Sequence, residues 1–188
     1  VIITAIEILI KSSLYLIDFI LRKYLGGKQL SYKLVVVDLD GTLLDANKSI
    51  SEKNHKVISK LKEKWISFVL ASGRPYQSLE EYAAILNLKM PVISTNGALI
   101  KNIADSKIVF KSLLSYKDAE KIFGYGLKND FSVIVYYPDE FLCTDRETAI
   151  FQKEMEGIEV KHRKRLKKYI LPLKIVFKAE VEKVKDKL

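Results

Sequence analysis

The sequence predicts an α/β fold in which a partial, Rossmann-like parallel sheet is preceded by an amphipathic helix and followed by a second α/β unit. Two observations support this prediction. Three aliphatic runs alternate with stretches of helical periodicity between Lys33 and Gly97, as is typical of parallel strands joined by right-handed helical crossovers. Beyond Lys111 the order changes to helix, strand, strand, helix, strand and helix, so a separate unit is expected there.

The first unit begins with "KLVVVDLD", a continuous aliphatic run that ends in acidic residues. Such a run predicts a central parallel strand that is buried on both faces. Ser51 can cap a helix that extends to about Lys64, and "ISFVLASG" predicts the second strand. A further helix is expected before the third strand, "MPVISTNG", which is followed by a predicted hairpin with Asn102–Ser106 at its turn.

The second unit is predicted from six segments and one charged stretch. In chain order these are a helix at 115–129, strands at 131–137 and 140–145, a helix at 146–155, a strand at 169–177 and a last helical stretch after it. The basic stretch "KHRKRLKK" at 161–168 is expected to form a solvated loop or to attract anionic substrates. The boundaries that follow are 1–30 for the helical extension, 31–112 for the core and 113–188 for the second unit.

The first 25 residues are the most apolar part of the chain and predict an amphipathic helix. Glu7, Lys11, Asp18 and Arg22 fall within one narrow stripe of a helix that advances about 100° per residue. The same four charges interrupt any transmembrane stretch. The apolar face of residues 1–25 is expected to bury against a membrane surface, a partner helix or the chain's own domain, and these three alternatives stay open.

Composition and charge narrow the class of protein. The chain has 188 residues, a net charge of +9 and a single cysteine, Cys143, which excludes an internal disulfide framework and predicts a cytoplasmic, reducing location. The positive net charge suggests a nucleic-acid-binding protein, but the basic residues are spread along the whole chain and form a cluster only at 161–168. No aromatic ladder or zinc pattern accompanies them, so no nucleic-acid partner is expected. The oligomeric state is not predicted.

Polar residues follow each of the three aliphatic runs at the point where the strand ends. They are Asp38, Asp40, Gly41 and Thr42 after the first, Ser72, Gly73 and Arg74 after the second, and Asn96 and Gly97 after the third. In open parallel sheets, ligands bind outside the carboxyl ends of the strands. Each motif alone more often marks a turn or a helix cap. Their coincidence at three successive strands predicts one binding site.

The residue types at these strand ends suit phosphoryl transfer. A carboxylate beside a bound magnesium ion can attack phosphorus and form an aspartyl-phosphate, which splits hydrolysis into two easier steps. A second carboxylate can protonate the leaving oxygen and later deprotonate water. Gly41 permits the turn that brings both carboxylates to one ligand. Ser72 can hydrogen-bond a phosphoryl oxygen, and Arg74 can offer a planar fork to phosphate.

The motifs "DLDGTLLD", "LASGRP" and "STNGALI", in this order, resemble the haloacid dehalogenase superfamily, and within it the Cof-like, class IIB phosphatases. The resemblance is close over 32–110, and it implies that 113–188 is part of an inserted cap domain. It implies a Mg²⁺ cofactor held by Asp38 and Asp40. By the same resemblance, Asp38 is the nucleophile and Asp40 the general acid/base, which lends its main-chain carbonyl to the metal.

The resemblance also assigns the remaining positions of the site. Ser72 and the amides around it would hold the phosphate, and Arg74 and Asn96 would line the substrate pocket. Phosphate or substrate contacts are expected further along the same motifs, at Gly41, Thr42, Gly73 and Gly97. The implied partner is a small phosphorylated substrate, such as a sugar phosphate or a nucleotide-related compound.

The sequence departs from the family pattern in two places. Trp65 stands where the family generally has glycine, so the preceding helix is expected to end differently. After Lys111 we recognise neither the family's later lysine nor its acidic "GDxxND" motif, and Lys174 is assigned to a cap strand. The chain is therefore expected to be an amino-terminal portion with impaired phosphatase activity. The alternative is a non-catalytic truncated product or pseudoenzyme that acts only in interaction.

Overall fold

The computed structural model describes residues 32–167 and 169–179, which form two α/β units. The helix predicted over residues 1–25 lies outside the described residues and stays a prediction. The last predicted helical stretch, after residue 177, also falls almost wholly outside them and stays a prediction. Within the described ranges, no helix has both the length and the apolar character needed to cross a bilayer.

The first unit has the predicted order of strands and helices. Its elements are β1 (Leu34–Val37), α1 (Glu52–Glu63), β2 (Ser67–Leu70), α2 (Tyr76–Ile85), β3 (Val92–Ser94), β4 (Leu99–Lys101) and β5 (Ile108–Lys111). β1 and β2 are parallel, and a parallel bridge between Ala71 and Ile93 extends this arrangement to β3. β3, β4 and β5 are antiparallel, so the predicted hairpin is confirmed.

β1 lies at the edge of the described sheet, so the prediction of a central strand buried on both faces is wrong for this part of the chain. Within 32–167 and 169–179, the strand hydrogen-bonded to β1 is β2. Leu34 is 51% exposed and Val35 and Val36 are partly exposed, whereas Val37 is buried. A strand is covered on both sides only where other elements flank it, and no described residue forms a strand along the outer edge of β1.

The ends of α1 are set by local hydrogen bonds. The Ser51 hydroxyl accepts the Asn54 N–H at 3.2 Å, as the cap prediction requires. At the other end, the Ile66 N–H donates to the Leu61 carbonyl at 3.0 Å, a pattern that needs a left-handed residue between them. Trp65 supplies it with φ +59, so the expected change in the helix end is wrong. Its side chain is 92% exposed and meets no crowding there.

One apolar core lies between the helices and the sheet of the first unit. Leu39, Leu70, Leu79 and Val92 are fully buried within it. Leu173 of the second unit belongs to the same core, so the two units share buried apolar surface.

The second unit is a four-stranded mixed sheet with two helices. Its elements are α3 (Tyr116–Lys128), β6 (Ser132–Tyr136), β7 (Phe141–Cys143), α4 (Arg146–Glu156), β8 (Val160–His162) and β9 (Lys174–Lys178), with strand order β8-β7-β6-β9. The basic stretch begins with two residues on β8, Lys161 and His162, which corrects the loop prediction for these two. Residues 163–167 form no helix or strand and 163–165 are exposed, so the predicted solvated loop is confirmed there. β8 is an edge strand of the described sheet, so its polar side chains reach solvent. Cys143 is fully buried on β7.

Candidate active site

The three polar motifs lie at the same edge of the first sheet. Val37 is in register with Leu70 in the parallel β1–β2 pair, and Ala71 bridges Ile93 in the same sense. The residues that follow β1, β2 and β3 therefore all lie at the carboxyl ends of these parallel strands. This is the arrangement that the motif positions predicted, although the roles of the individual residues stay predictions.

The chain leaves β1 through a single wide helical turn at Leu39–Leu43. The Leu44 N–H donates to the Leu39 carbonyl at 3.0 Å, and Gly41 takes φ +70 within the turn. Thr42 lies in this turn, while the buried Asn54 side-chain amide of α1 donates to the Leu43 carbonyl at 3.1 Å. Because Gly41 reverses the backbone, the two carboxylates that flank Leu39 belong to one compact turn.

Asp40 is held in an ion cluster by two cations. Arg74 donates to both carboxylate oxygens, from Nε at 2.7 Å and from Nη2 at 2.6 Å. Lys48 Nζ adds a third contact at 2.8 Å. The Arg74 side chain is only 13% exposed and its guanidinium carbon lies 5.7 Å from the centre of the Tyr82 ring. The two parallel bonds to Arg74 make this a bidentate, charge-assisted pair.

The ionisation of the two aspartates is pushed in opposite directions. The Arg74 hydrogen bonds, with a smaller contribution from Lys48, lower the pKa of Asp40 to about 2. Burial raises the pKa of Asp38, and the neighbouring charge of Asp40 raises it further. The Asp40 carboxylate, through its hydrogen bonds, in turn raises the pKa of the Arg74 guanidinium. Asp40 is therefore ionised in this arrangement, although a general acid must carry a proton.

The loops after β2 and β3 are bonded to each other. The Thr95 N–H donates to the Arg74 carbonyl at 2.8 Å, and the Asn96 N–H donates to the Ser72 carbonyl at 3.2 Å. Ser72 is buried, and its hydroxyl accepts the Arg74 N–H at 3.2 Å. Because that bond uses an oxygen lone pair of Ser72, its hydroxyl proton can be donated to an anion.

The turn after β3 stores backbone strain. Thr95, Asn96 and Gly97 have φ values of +54, +58 and +88 in succession. Two consecutive non-glycine residues in this region are costly, at roughly 1–2 kcal/mol each. Such strain persists where the surrounding structure fixes the conformation, and here the hydrogen bonds to the Ser72–Arg74 loop do so. The strained turn is consistent with a functional position for Asn96.

Two residues that contact these motifs were not predicted as site residues. Lys48 contacts Asp40, and the hydroxyl of Tyr82 donates to the Lys48 carbonyl at 3.3 Å. Lys174 lies on β9 of the second sheet, as expected, but its amine donates to the Asn96 side-chain oxygen at 2.7 Å and to the Gly73 carbonyl at 3.3 Å. No local pattern marks Lys48. The sequence pattern around Lys174 correctly predicted that it lies on a strand of the second unit. It did not predict that the Lys174 side chain contacts the motifs after β2 and β3.

The turn after β1 offers carboxylate and carbonyl oxygens, which are the type of ligand that Mg²⁺ prefers. Mg²⁺ binds one or two carboxylates and completes its octahedral shell with waters and substrate oxygens. Asp38 is the residue that caps this turn and Asp40 lies within it, so both acidic side chains belong to one short segment. Within 32–167 and 169–179, no group of three or more acidic, histidine or cysteine side chains is placed to bind a metal. The turn therefore offers oxygen ligands of the kind that a magnesium ion uses, and magnesium binding itself stays a prediction.

Comparison with known proteins agrees with the motifs. The haloacid dehalogenase-like hydrolase family matches residues 35–187. The chain is 32% identical over 100 residues to "Putative phosphatase YxeH" of Bacillus subtilis, which covers 52% of this chain and 37% of that protein. It is 38% identical over 72 residues to 5-amino-6-(5-phospho-D-ribitylamino)uracil phosphatase YitU of the same organism. This alignment covers 38% of this chain and 27% of that enzyme. The chain thus spans less than half the length of both relatives.

The fold is also similar to solved structures. A haloacid dehalogenase-like hydrolase from Bacteroides thetaiotaomicron superposes with a TM-score of 0.70 and 22% identity, covering 82% of this chain and 61% of that one. At this identity, the similarity concerns the fold alone. The family match, in contrast, rests on sequence and includes all three strand-end motifs. The chain belongs to the haloacid dehalogenase-like hydrolase family.

Proposed function

We propose that this chain carries the phosphoryl-transfer centre of a phosphatase that hydrolyses small phosphate monoesters through a phosphoryl group on Asp38. The observation that carries the proposal is the meeting of three motif-bearing strand ends at one edge of the sheet. Asp38 follows β1 directly and is partly exposed, so its carboxylate can approach a phosphorus atom. Attack by Asp38 forms the Asp38–phosphorus bond as the bond from phosphorus to the ester oxygen breaks.

Asp40 serves as the general acid and base in this proposal, and Arg74 controls when it can do so. With a pKa of about 2, Asp40 carries a proton in only about one molecule in 10⁵ at pH 7. A substrate phosphate offers Arg74 the same bidentate geometry that the Asp40 carboxylate offers. When Arg74 turns to the phosphate, Asp40 loses the largest cause of its lowered pKa, so the fraction of Asp40 that carries a proton rises. It can then protonate the leaving oxygen and later accept a proton from the attacking water.

The phosphate is proposed to bind between the motifs after β1 and β2. Ser72 would donate its hydroxyl proton to a phosphoryl oxygen, and the amides of Gly41, Thr42 and Gly73 belong to the turns that face it. Asn96 and Gly97 would contact the rest of the substrate. A Mg²⁺ ion held by the Asp38 carboxylate and the Asp40 main-chain carbonyl would supply positive charge that offsets the repulsion between Asp38 and the phosphate.

The substrate class and location are further parts of the proposal. A small phosphorylated metabolite, such as a sugar phosphate or a nucleotide-related compound, suits a site covered by a second domain. The relative YitU acts on a phosphorylated ribitylamino-uracil, which is a compound of this kind. The fully buried Cys143 is consistent with the reducing conditions of the cytoplasm, where we place the reaction.

Phosphorylation of Asp38 is the direct test. The 188-residue chain is incubated with acetyl phosphate or a chromogenic phosphate ester and magnesium, quenched in acid and mapped by mass spectrometry. We expect a phosphoryl adduct on Asp38 in the wild type and in an Asp105→Asn control, because Asp105 lies in the exposed hairpin turn. Asp38→Asn should abolish the adduct.

Steady-state phosphate release is measured in parallel. Turnover that requires Asp38 supports the whole proposed cycle. An adduct with little turnover assigns the defect to the second step, in which water attacks. If Asp38 carries no adduct and turnover is unchanged in Asp38→Asn, the proposed function is wrong. If neither an adduct nor turnover is detected in any variant, the non-catalytic alternative is favoured.

A further inference from the structure

Lys174 lies in the second unit, at a position where this unit packs against the first. It is the first residue of β9 and is in register with Tyr136 of β6. Leu173, immediately before it, is buried in the core of the first unit and donates its N–H to the Tyr136 carbonyl at 2.7 Å. The Pro172 carbonyl accepts the Leu114 N–H at 2.8 Å. The backbone of Lys174 is thus fixed against both units.

The side chain of Lys174 crosses from the second unit to the candidate site. Its amine donates to Asn96 Oδ1 at 2.7 Å and to the Gly73 carbonyl at 3.3 Å, and it lies 5.3 Å from the centre of the Tyr136 ring. Both acceptors belong to the motifs after β2 and β3. A lysine on the second sheet therefore places a positive charge against two segments of the first unit.

These contacts fix the orientation of the Asn96 side chain. An ammonium group has donors and no acceptor, so the atom of Asn96 that faces Lys174 must be the oxygen. The Asn96 NH₂ group is then directed away from Lys174. It packs over Gly73, where an added Cβ would lie only 3.1 Å from Asn96 Nδ2. Gly73 stands between Ser72 and Arg74, the residues proposed to bind phosphate. The Asn96 amide is thereby held as a donor beside the turn that is proposed to bind phosphate.

We propose that Lys174 is a positioning residue that the second domain contributes to the phosphate site. It holds the Asn96 amide with its N–H donors toward an anionic substrate, and its charge raises the affinity of the neighbouring turn for phosphate. The inference rests on the proposed function, and it adds that the complete site is assembled from both units. A substrate anion is then bound more tightly when β9 is docked against the Gly73 and Asn96 loops.

The test measures binding of tungstate, a tetrahedral oxyanion, to the full chain by isothermal titration calorimetry, so that it does not depend on turnover. Lys174→Met should weaken tungstate binding about tenfold, which is the size of effect expected for one interaction with a charged group. Lys174→Arg should restore most of the affinity. Lys178→Met is the matched control, because Lys178 ends the same strand and lies over the Phe151 ring, away from the site.

A spectroscopic measurement separates positioning from general stability. In ¹⁵N-labelled protein, the side-chain NH₂ signals of Asn96, assigned by their loss in Asn96→Ser, should shift in Lys174→Met and stay in place in Lys178→Met. Equal affinity in Lys174→Met and wild type, with weaker binding in Ser72→Ala, would overturn this inference and leave the proposed function standing. No tungstate binding by the wild-type chain would overturn both.

Discussion

The pairing of Asp40 with Arg74 makes a quantitative prediction about ionisation. In the structure, Arg74 binds both oxygens of Asp40 and is the largest cause of its lowered pKa, and Lys48 is a smaller one. Replacing Arg74 with methionine keeps an unbranched side chain but removes both hydrogen bonds and the charge. We expect the pKa of Asp40 to rise from about 2 to about 3 or above, toward the ordinary value of 3.8.

Lys48→Met provides the graded comparison. Lys48 makes one contact with Asp40 and its side chain is 52% exposed, so solvent screens its charge. The rise in the pKa of Asp40 should therefore be smaller than in Arg74→Met. Carboxyl ¹³C NMR in magnesium-free buffer, at pH values where the amide spectrum remains that of the folded chain, measures both. At pH 3, Asp40 should be about one-tenth protonated in the wild type and about half protonated in Arg74→Met.

The sign of the pH effect on stability gives an independent check. The pKa of Asp40 is lower in the folded chain than in the unfolded chain, so its ion pair stabilises the fold above about pH 4. That stabilisation is lost as the pH falls through about 2. Arg74→Met should therefore be less stable than wild type at pH 5, and the difference should shrink in more acidic solution. An unchanged pKa of Asp40 in Arg74→Met, or a larger change in Lys48→Met, would refute this reasoning.

Two further predictions concern stability and are measured by urea unfolding with circular dichroism. Gly126→Ala should destabilise the second unit by about 1–3 kcal/mol, because its Cβ would lie 2.5 Å from Val133 and 2.7 Å from Phe177. Gly124 lies on the same helix, and a Cβ added there would meet no atom within 4 Å, so Gly124→Ala should instead stabilise the chain by roughly 0.5–1 kcal/mol. A change in stability of the same sign in both variants would contradict the packing described here. Trp65→Gly should stabilise by about 1 kcal/mol, because glycine adopts φ +59 without strain, and a loss of stability would show that the indole makes a contact of its own.

The parts of the fold that were predicted correctly depend on short-range patterns. The aliphatic runs, the Ser51 cap and the turn at Asn102–Ser106 each involve residues within a few positions of one another. The convergence of the three strand-end motifs was also predictable, because parallel strands necessarily bring their carboxyl ends to one edge. These predictions needed no knowledge of which side chains meet.

Two of the contacts that were missed join residues that are distant in sequence, whereas the third, between Lys48 and Asp40, spans only eight residues. Arg74 was expected to line the substrate pocket, yet it reaches Asp40, 34 residues earlier. Lys174 reaches Asn96 across 78 residues and between two units. The position of β1 at the edge of the described sheet depends on which other strands are present, a property that the run of valines does not encode. Pairings of this kind are fixed by tertiary packing, and a single sequence carries no local signal for them.

The formal charges of the site explain why substrate and cation are expected to bind together. Asp38 and Asp40 oppose three cations, Arg74, Lys48 and Lys174, so the described site carries a net charge of about +1 when all five groups are ionised. A phosphate monoester brings a charge of about −2 and would leave the filled site at about −1. Removing a negative net charge from water is costly unless it is compensated. A bound Mg²⁺ would return the site to about +1, so an arriving phosphate favours cation binding even though two of the three basic side chains already face Asp40. This balance predicts that Lys174→Met, which lowers the charge by one, should strengthen the dependence of phosphate binding on magnesium while weakening phosphate binding without it.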